Sequence, residues 1–143
     1  MLEIFEKYEL VIFDWEGTLA SFAHPIDELF PETLNLLSEL KEKKLAIATG
    51  KSKDSLMLCL ETHGISDRFD VICSSTDFPS KPCPDMLTYV LTTLSINSDD
   101  AIMVGDSLVD ILAAQAAKID SLLINRSSEP CSYKPTYEVS SFF

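Results

Sequence analysis

At 143 residues the chain has the length of one domain, enough to bury about two-thirds of the surface that an unfolded chain exposes. Its 46% hydrophobic and 24% charged residues are those of an ordinary globular protein, and no apolar run approaches the roughly 18 residues of a membrane span. A net charge of −12 argues against nucleic-acid binding, since no basic stripe can neutralise phosphates. It also disfavours anionic small substrates unless a metal or local cations reverse the sign at the site.

The opening segment, MLEIFEKYEL, carries acids early and lacks a signal-peptide core, which reads as a mature cytoplasmic protein. Short apolar runs follow at residues 10–13, 45–48, 71–73, 101–104 and 122–124. They are continuous rather than alternating, which suits strands buried on both faces of a parallel sheet. Helical periodicities lie between them. Leu34, Leu37 and Leu40 mark a helix over residues 31–43, opened by Pro31 and Glu32, and Leu56, Met57 and Leu60 mark the next. Leu87, Val90, Leu91 and Leu94 form the clearest stripe, starting near Pro84, and Leu108, Ile111 and Leu112 begin a fourth helix. Right-handed crossovers turn this alternation into a three-layer α/β/α sandwich around a Rossmann-like parallel sheet of about five strands, one domain over residues 1–143. The polar tail, residues 126–143, is expected either to add an edge strand near 137–139 or to run over the surface.

Cys59, Cys73, Cys83 and Cys131 are scattered and form no C-x-x-C pair, and His24 and His63 stand alone. That pattern reads as reduced thiols, at least two of them in the core, and not as a zinc site. His63 falls near a helix end, where a cation eases the dipole.

The polar residues carry a sharper message. In an open parallel sheet, ligands bind beyond the carboxyl ends of the strands. Asp14 ends the first strand in VIFDWEGTLA, Thr49 ends the second in AIATGKS, Lys81 lies after the third in SKPCPD, and Asp106 follows the fourth in IMVGDS. Four distant segments therefore converge on one crevice. Carboxylates facing each other there repel, and a hard divalent cation such as Mg²⁺ relieves the conflict. Asp14 and Asp106 are the natural ligands, with the backbone carbonyl of Glu16 as a third. Thr49 and the N–H groups of Gly50 and Lys51 precede a helix and form an anion site, and Lys81 supplies a point charge for a phosphoryl oxygen. An aspartate such as Asp14 can attack phosphorus and form an aspartyl-phosphate. An acid two residues on, Glu16, can protonate the leaving oxygen and then activate water.

DWEGT, ATGKS, SKPCPD and VGDSLVDILAAQAA, in that order and spacing over residues 11–124, resemble the four motifs of the haloacid dehalogenase superfamily of phosphohydrolases. The KP-x-PD and GDS-x-x-D versions are similar to its phosphoglycolate phosphatase-like branch. The resemblance implies that Asp14 is the nucleophile and a metal ligand, that Thr49 and Lys81 hold the phosphoryl group, and that Asp106 binds Mg²⁺. It implies that Asp110 supports the metal shell or orients Lys81. Asp110 also has capping-box spacing from Ser107, so it secures a helix start, serves the site, or does both. Trp15 has two readings, substrate contact or packing beside the strand.

One position departs from the family pattern. The family usually reads D-x-D, and here Glu16 stands in the third place, which predicts slowed rather than abolished turnover. The rival reading is a weak or inactive Mg²⁺- and phosphate-binding regulatory module. A receiver-type signalling domain ranks last, because the third strand leads into CSSTD and not into an immediate aspartate. The intervals between Asp14 and Thr49 and between Thr49 and Lys81 hold no room for the inserted cap common in the superfamily. The site is therefore expected to be open, taking a phosphorylated small molecule or a larger phosphorylated substrate, or covered by a neighbouring copy in a homo-oligomer.

Overall fold

A computed structural model describes residues 2–127 and 129–143. A 3₁₀ turn, Leu2–Phe5, leads into β1 (Leu10–Phe13). A two-stranded hairpin, β2 (Ala20–Ser21) and β3 (Glu28–Leu29), precedes α1 (Thr33–Glu39) and β4 (Lys44–Ala48). Then come α2 (Lys53–Thr62), β5 (Val71–Cys73), α3 (Asp85–Leu94), β6 (Ala101–Gly105), α4 (Leu108–Ala117), β7 (Asp120–Ile124) and β8 (Tyr137–Val139).

The main sheet is parallel and six-stranded, in the order β5-β4-β1-β6-β7-β8. Strand β1 lies in the middle, paired through Leu10↔Lys44 to Phe13↔Ile47 on one side and Leu10↔Ala101 to Phe13↔Val104 on the other. All four of its residues are buried, which explains the unbroken apolar run. Successive side chains point to opposite faces. Val11 and Phe13 join Leu36, Leu37, Leu56 and Leu60 of α1 and α2 in one core layer. Leu10 and Ile12 join Met86, Leu87, Val90, Ala113 and Ala114 of α3 and α4 in the other. The chain is thus the α/β/α sandwich that its sequence predicts, and the sixth strand is the tail segment Tyr137–Val139. Among the described residues no helix is long and apolar enough to cross a membrane.

Two helices differ from expectation. α1 covers Thr33–Glu39 rather than residues 31–43, and Leu34 is exposed. Its inner face is Thr33, Leu36 and Leu37, continued by Leu40; Leu34 lies about 100° around the helix from Thr33. The helix stops early because the chain must turn into β4 at Lys44. The Leu40 N–H already reaches both Leu36 O and Leu37 O, at 3.1 and 3.2 Å, as the last turn tightens. In α4 the inner face is Asp110, Ile111, Ala113 and Ala114, while Leu108 and Leu112 face outward. A buried carboxylate takes the place that the leucine stripe was expected to hold. The β2–β3 hairpin has no signal in the sequence, since two-residue strands leave no periodicity to read.

Beyond β7 the chain doubles back on the loop that follows β1. Arg126 donates from Nε to Gly17 O (3.1 Å) and from a terminal nitrogen to Thr18 O (2.9 Å). It pairs with Glu32 at 2.8 Å and lies 3.6 Å from the Phe30 ring centroid. A planar guanidinium can satisfy these four demands together, and a lysine cannot. Arg126→Ala is expected to lower unfolding stability by about 1–2 kcal/mol, and Arg126→Lys to recover only part of that. Urea denaturation checks this: the midpoint should fall while the slope stays unchanged.

Candidate active site

The chain order reverses between β1 and β6, which are direct neighbours, so their carboxyl ends open the crevice that parallel sheets use for ligands. Asp14 leaves the end of β1, and its N–H still donates to Val104 O at 2.9 Å. Asp106 leaves the end of β6, Thr49 the end of β4, and Lys81 arrives from the loop between β5 and α3. All four line one crevice of about 660 Å³, together with Glu16, Gly17, Gly50 and Asp110. The sequence expectation that these segments converge is therefore met in space.

Lys81 occupies the centre. Its side chain is 5% exposed, and Nζ donates to Asp110 Oδ1 (2.6 Å), to Ala48 O (2.6 Å) and to Asp14 Oδ1 (3.1 Å). Those three bonds use all three ammonium protons. Asp110 is fully buried, and its second oxygen accepts from the Asp106 N–H, the Ser107 N–H and the Ser107 hydroxyl at 3.1–3.2 Å. It secures the start of α4 and holds Lys81 at once, so both readings of this residue apply. Gly105 is needed behind it: a Cβ there would stand 2.2 Å from Asp110 Oδ2. On the facing side Gly17, at φ +87°, lets the loop after β1 close on Asp106, whose Oδ2 would be 2.0 Å from an added Cβ.

Ligand atoms of Asp14, Asp106 and Asp110 all lie within 4.8 Å of one another. One ammonium faces three carboxylates, so the site carries uncompensated negative charge. Burial pushes the Asp14 carboxyl up to about 8, with Asp110 and Asp106 adding to the rise and Lys81 opposing it. Lys81 is the chief opposing influence, through its charge and its 3.1 Å hydrogen bond, but burial outweighs it. Desolvation also raises Asp106, against a hydrogen bond to Asp14. Burial acts to lower the Lys81 ammonium, yet Asp14 and Asp110 outweigh it and hold its proton more firmly than usual. An all-oxygen donor set with excess charge fits a hard divalent cation of the Mg²⁺ type. Asp14 and Asp106 would be the side chains left to hold it, since Asp110 is already committed to four donors.

Thr49 is buried, and its Oγ1 accepts from the Lys51 N–H at 3.1 Å, shaping the turn that leads to α2. Gly50 is exposed on that turn. Glu16 is exposed at the crevice mouth, bridged through its backbone to Ala20. Trp15 is fully buried and donates from Nε1 to Asp27 Oδ2 at 2.9 Å, so it packs and does not reach the crevice. Asp27 escaped sequence reading. It is 2% exposed, accepts from the Ala23 N–H (3.2 Å) and pairs with Lys51 Nζ (3.1 Å). Desolvation would raise its carboxyl, but the bonds from Trp15, Lys51 and Ala23 hold it below the usual range. His63 Nε2 lies 2.7 Å from Asp27 O and fastens the same loop to the end of α2. Nothing in the stretch HPIDEL signals these roles.

The family model of the haloacid dehalogenase-like hydrolases matches residues 9–124. The chain is 31% identical over 113 residues to the pyrophosphatase PpaX of Bacillus pumilus, covering 78% of this chain and 46% of that protein. It is 35% identical over 97 residues to a phosphoglycolate phosphatase of Vibrio cholerae, covering 66% and 43%. It spans less than half the length of such curated relatives. In fold it is similar to a HAD phosphatase from Thermococcus onnurineus, with a TM-score of 0.82 at 21% identity over 92% of this chain and 93% of the other.

Folded Asp14 keeps its proton up to about pH 8, whereas an unfolded carboxylate releases it near about pH 4. Between those values the folded state binds more protons, so stability falls as pH rises. In chelating buffer the melting temperature is expected to decline from about pH 5 to about pH 8, and Asp14→Asn to flatten the decline. A flat wild-type profile in calorimetry would contradict the crowding of these carboxylates.

Proposed function

This chain belongs to the haloacid dehalogenase-like hydrolase family, and on that premise we propose that it hydrolyses phosphate monoesters through a phosphorylated Asp14. The observation that carries this reading is the Lys81 ammonium fixed between Asp14 and Asp110, with Asp106 at the neighbouring strand end. Asp14 and Asp106 leave strand ends and Asp110 sits on α4, and these elements hold the loop-borne Lys81 in place, a fixity that catalysis needs.

In this reading Thr49, the N–H groups of Gly50 and Lys51, and Lys81 receive the phosphoryl oxygens, Lys81 by turning to the phosphoryl group the proton it gives Asp14 at 3.1 Å while it keeps its bonds to Asp110 and Ala48 O. An oxygen of Asp14 attacks phosphorus, the bond from phosphorus to the ester oxygen breaks, and Glu16 passes its proton to the departing alcohol. Glu16 then takes a proton from water, which attacks phosphorus, releases inorganic phosphate and restores the Asp14 carboxylate. Asp110 takes no part in bond making; it keeps Lys81 in place. Asp14, Asp106 and the backbone carbonyl of Glu16 would hold Mg²⁺, which supplies positive charge against the carboxylates and the bound phosphate. No inserted cap lies between the described strands that carry the site, so the crevice stays open to a small or larger phosphorylated substrate or to a neighbouring copy.

Glu16 also favours a second reading, a module that binds Mg²⁺ and phosphate with little turnover. Its side chain is one methylene longer than the usual aspartate and stands exposed at the mouth. Phosphate release from p-nitrophenyl phosphate separates the two. The enzyme reading expects Mg²⁺-dependent release that Asp14→Asn abolishes and Glu16→Asp raises by about 10- to 100-fold. Equal release from wild type and Asp14→Asn would remove it and leave the binding module.

A further inference from the structure

We infer that the alcohol part of the substrate is uncharged and apolar, a single aromatic ring being the simplest case, and that Phe22 seats it at the crevice mouth. The inference rests on the reading of this chain as a phosphate-monoester hydrolase and specifies which esters it accepts.

Two features of the mouth carry it. The first is apolar surface. Phe22, just beyond β2, is 69% exposed, and Val109, in the first turn of α4, is 38% exposed; both line the same crevice as Asp14 and Lys81. A single exposed apolar side chain is ordinary on a protein surface. These two instead border the crevice that Asp14, Thr49, Lys81, Asp106 and Asp110 line, and the exposed Leu108 and Leu112 lie on the same helix as Val109. The crevice, about 660 Å³, has room for a phosphoryl group with one ring attached.

The second feature is charge. Among the described residues, the cations lining the crevice are Lys51 and Lys81. Lys81 is committed to Asp110, to Ala48 O and to the reacting centre at Asp14, and Lys51 is paired with the buried Asp27. Glu16 adds a carboxylate at the mouth. A second anionic group on the substrate, such as the carboxylate of phosphoglycolate or the other phosphate of pyrophosphate, would meet Glu16 and find no uncommitted lysine among the described residues that line the crevice. An uncharged ring meets Phe22 and Val109 at no such cost.

Benzyl phosphate and phosphoglycolate both release an oxygen borne on a CH₂ group, so comparing them isolates the substituent. With Mg²⁺ present, wild type is expected to favour benzyl phosphate at least tenfold in kcat/KM. Phe22→Ala should lose most of that preference through KM, Phe22→Tyr should retain it, and turnover of phosphoglycolate should not change. Equal or better use of phosphoglycolate or pyrophosphate, or indifference to Phe22→Ala, would overturn the inference. So would a specific activity that rises with protein concentration and loses that rise in Phe22→Ala, which would assign the ring to a second copy. If no ester is hydrolysed, the hydrolase reading itself fails. The seat is still tested by thermal shift, where benzylphosphonate should stabilise wild type more than phosphonoacetate and the difference should vanish in Phe22→Ala.

Discussion

One ammonium group organises this molecule. Lys81 is drawn out of water into a space where Asp110, Asp14 and the end of β4 each take one of its protons. Three acidic side chains gathered around one base leave an excess of negative charge that neither the apolar core nor bulk water can relieve there. That imbalance explains why burial drives the Asp14 carboxyl so far up and why the donor set suits a small, hard cation. It also reaches into the packing. α4 turns its carboxylate inward to meet Lys81, so its leucines face outward and small alanines meet the sheet.

The crevice is steadied from the side of β1 by two further anchors. Asp27 gathers Trp15, Ala23 and Lys51, joining the loop after β1 to the turn after β4. Arg126, just beyond the end of β7, reaches the carbonyls of Gly17 and Thr18. The strands fix the floor, and these contacts fix the rim. A site so fastened has little need of large closing motions to bring its charged groups together.

Much of this was legible in the chain itself. Continuous apolar runs located five of the six strands of the main sheet within a residue or two, because strands buried on both faces leave an unmistakable block in sequence. The polar residues Asp14, Thr49 and Asp106, beyond three of these runs, with Lys81 in the loop after a fourth, marked the crevice, because parallel strands bring their carboxyl ends to one edge. Illegible were contacts that depend on tertiary placement. Asp27 and Arg126 are solitary charges in ordinary loops, and only folding shows what they touch. Leu34, Leu108 and Leu112 promised inner faces by spacing, but the register of each helix is set by what lies beneath it, and under α4 that is Lys81. The tail offered two outcomes, and pairing with β7 decided for the strand.

The threading of the sheet has a consequence for how the chain is made. β1, which precedes the other strands of the sheet in the chain, lies at the centre and needs β6, about ninety residues later, to complete its pairing. Asp14 therefore leaves the ribosome long before Lys81, Asp106 and Asp110 exist. Until they arrive it is an ordinary carboxylate in water, and its unusual chemistry comes into being only with the closing stages of folding.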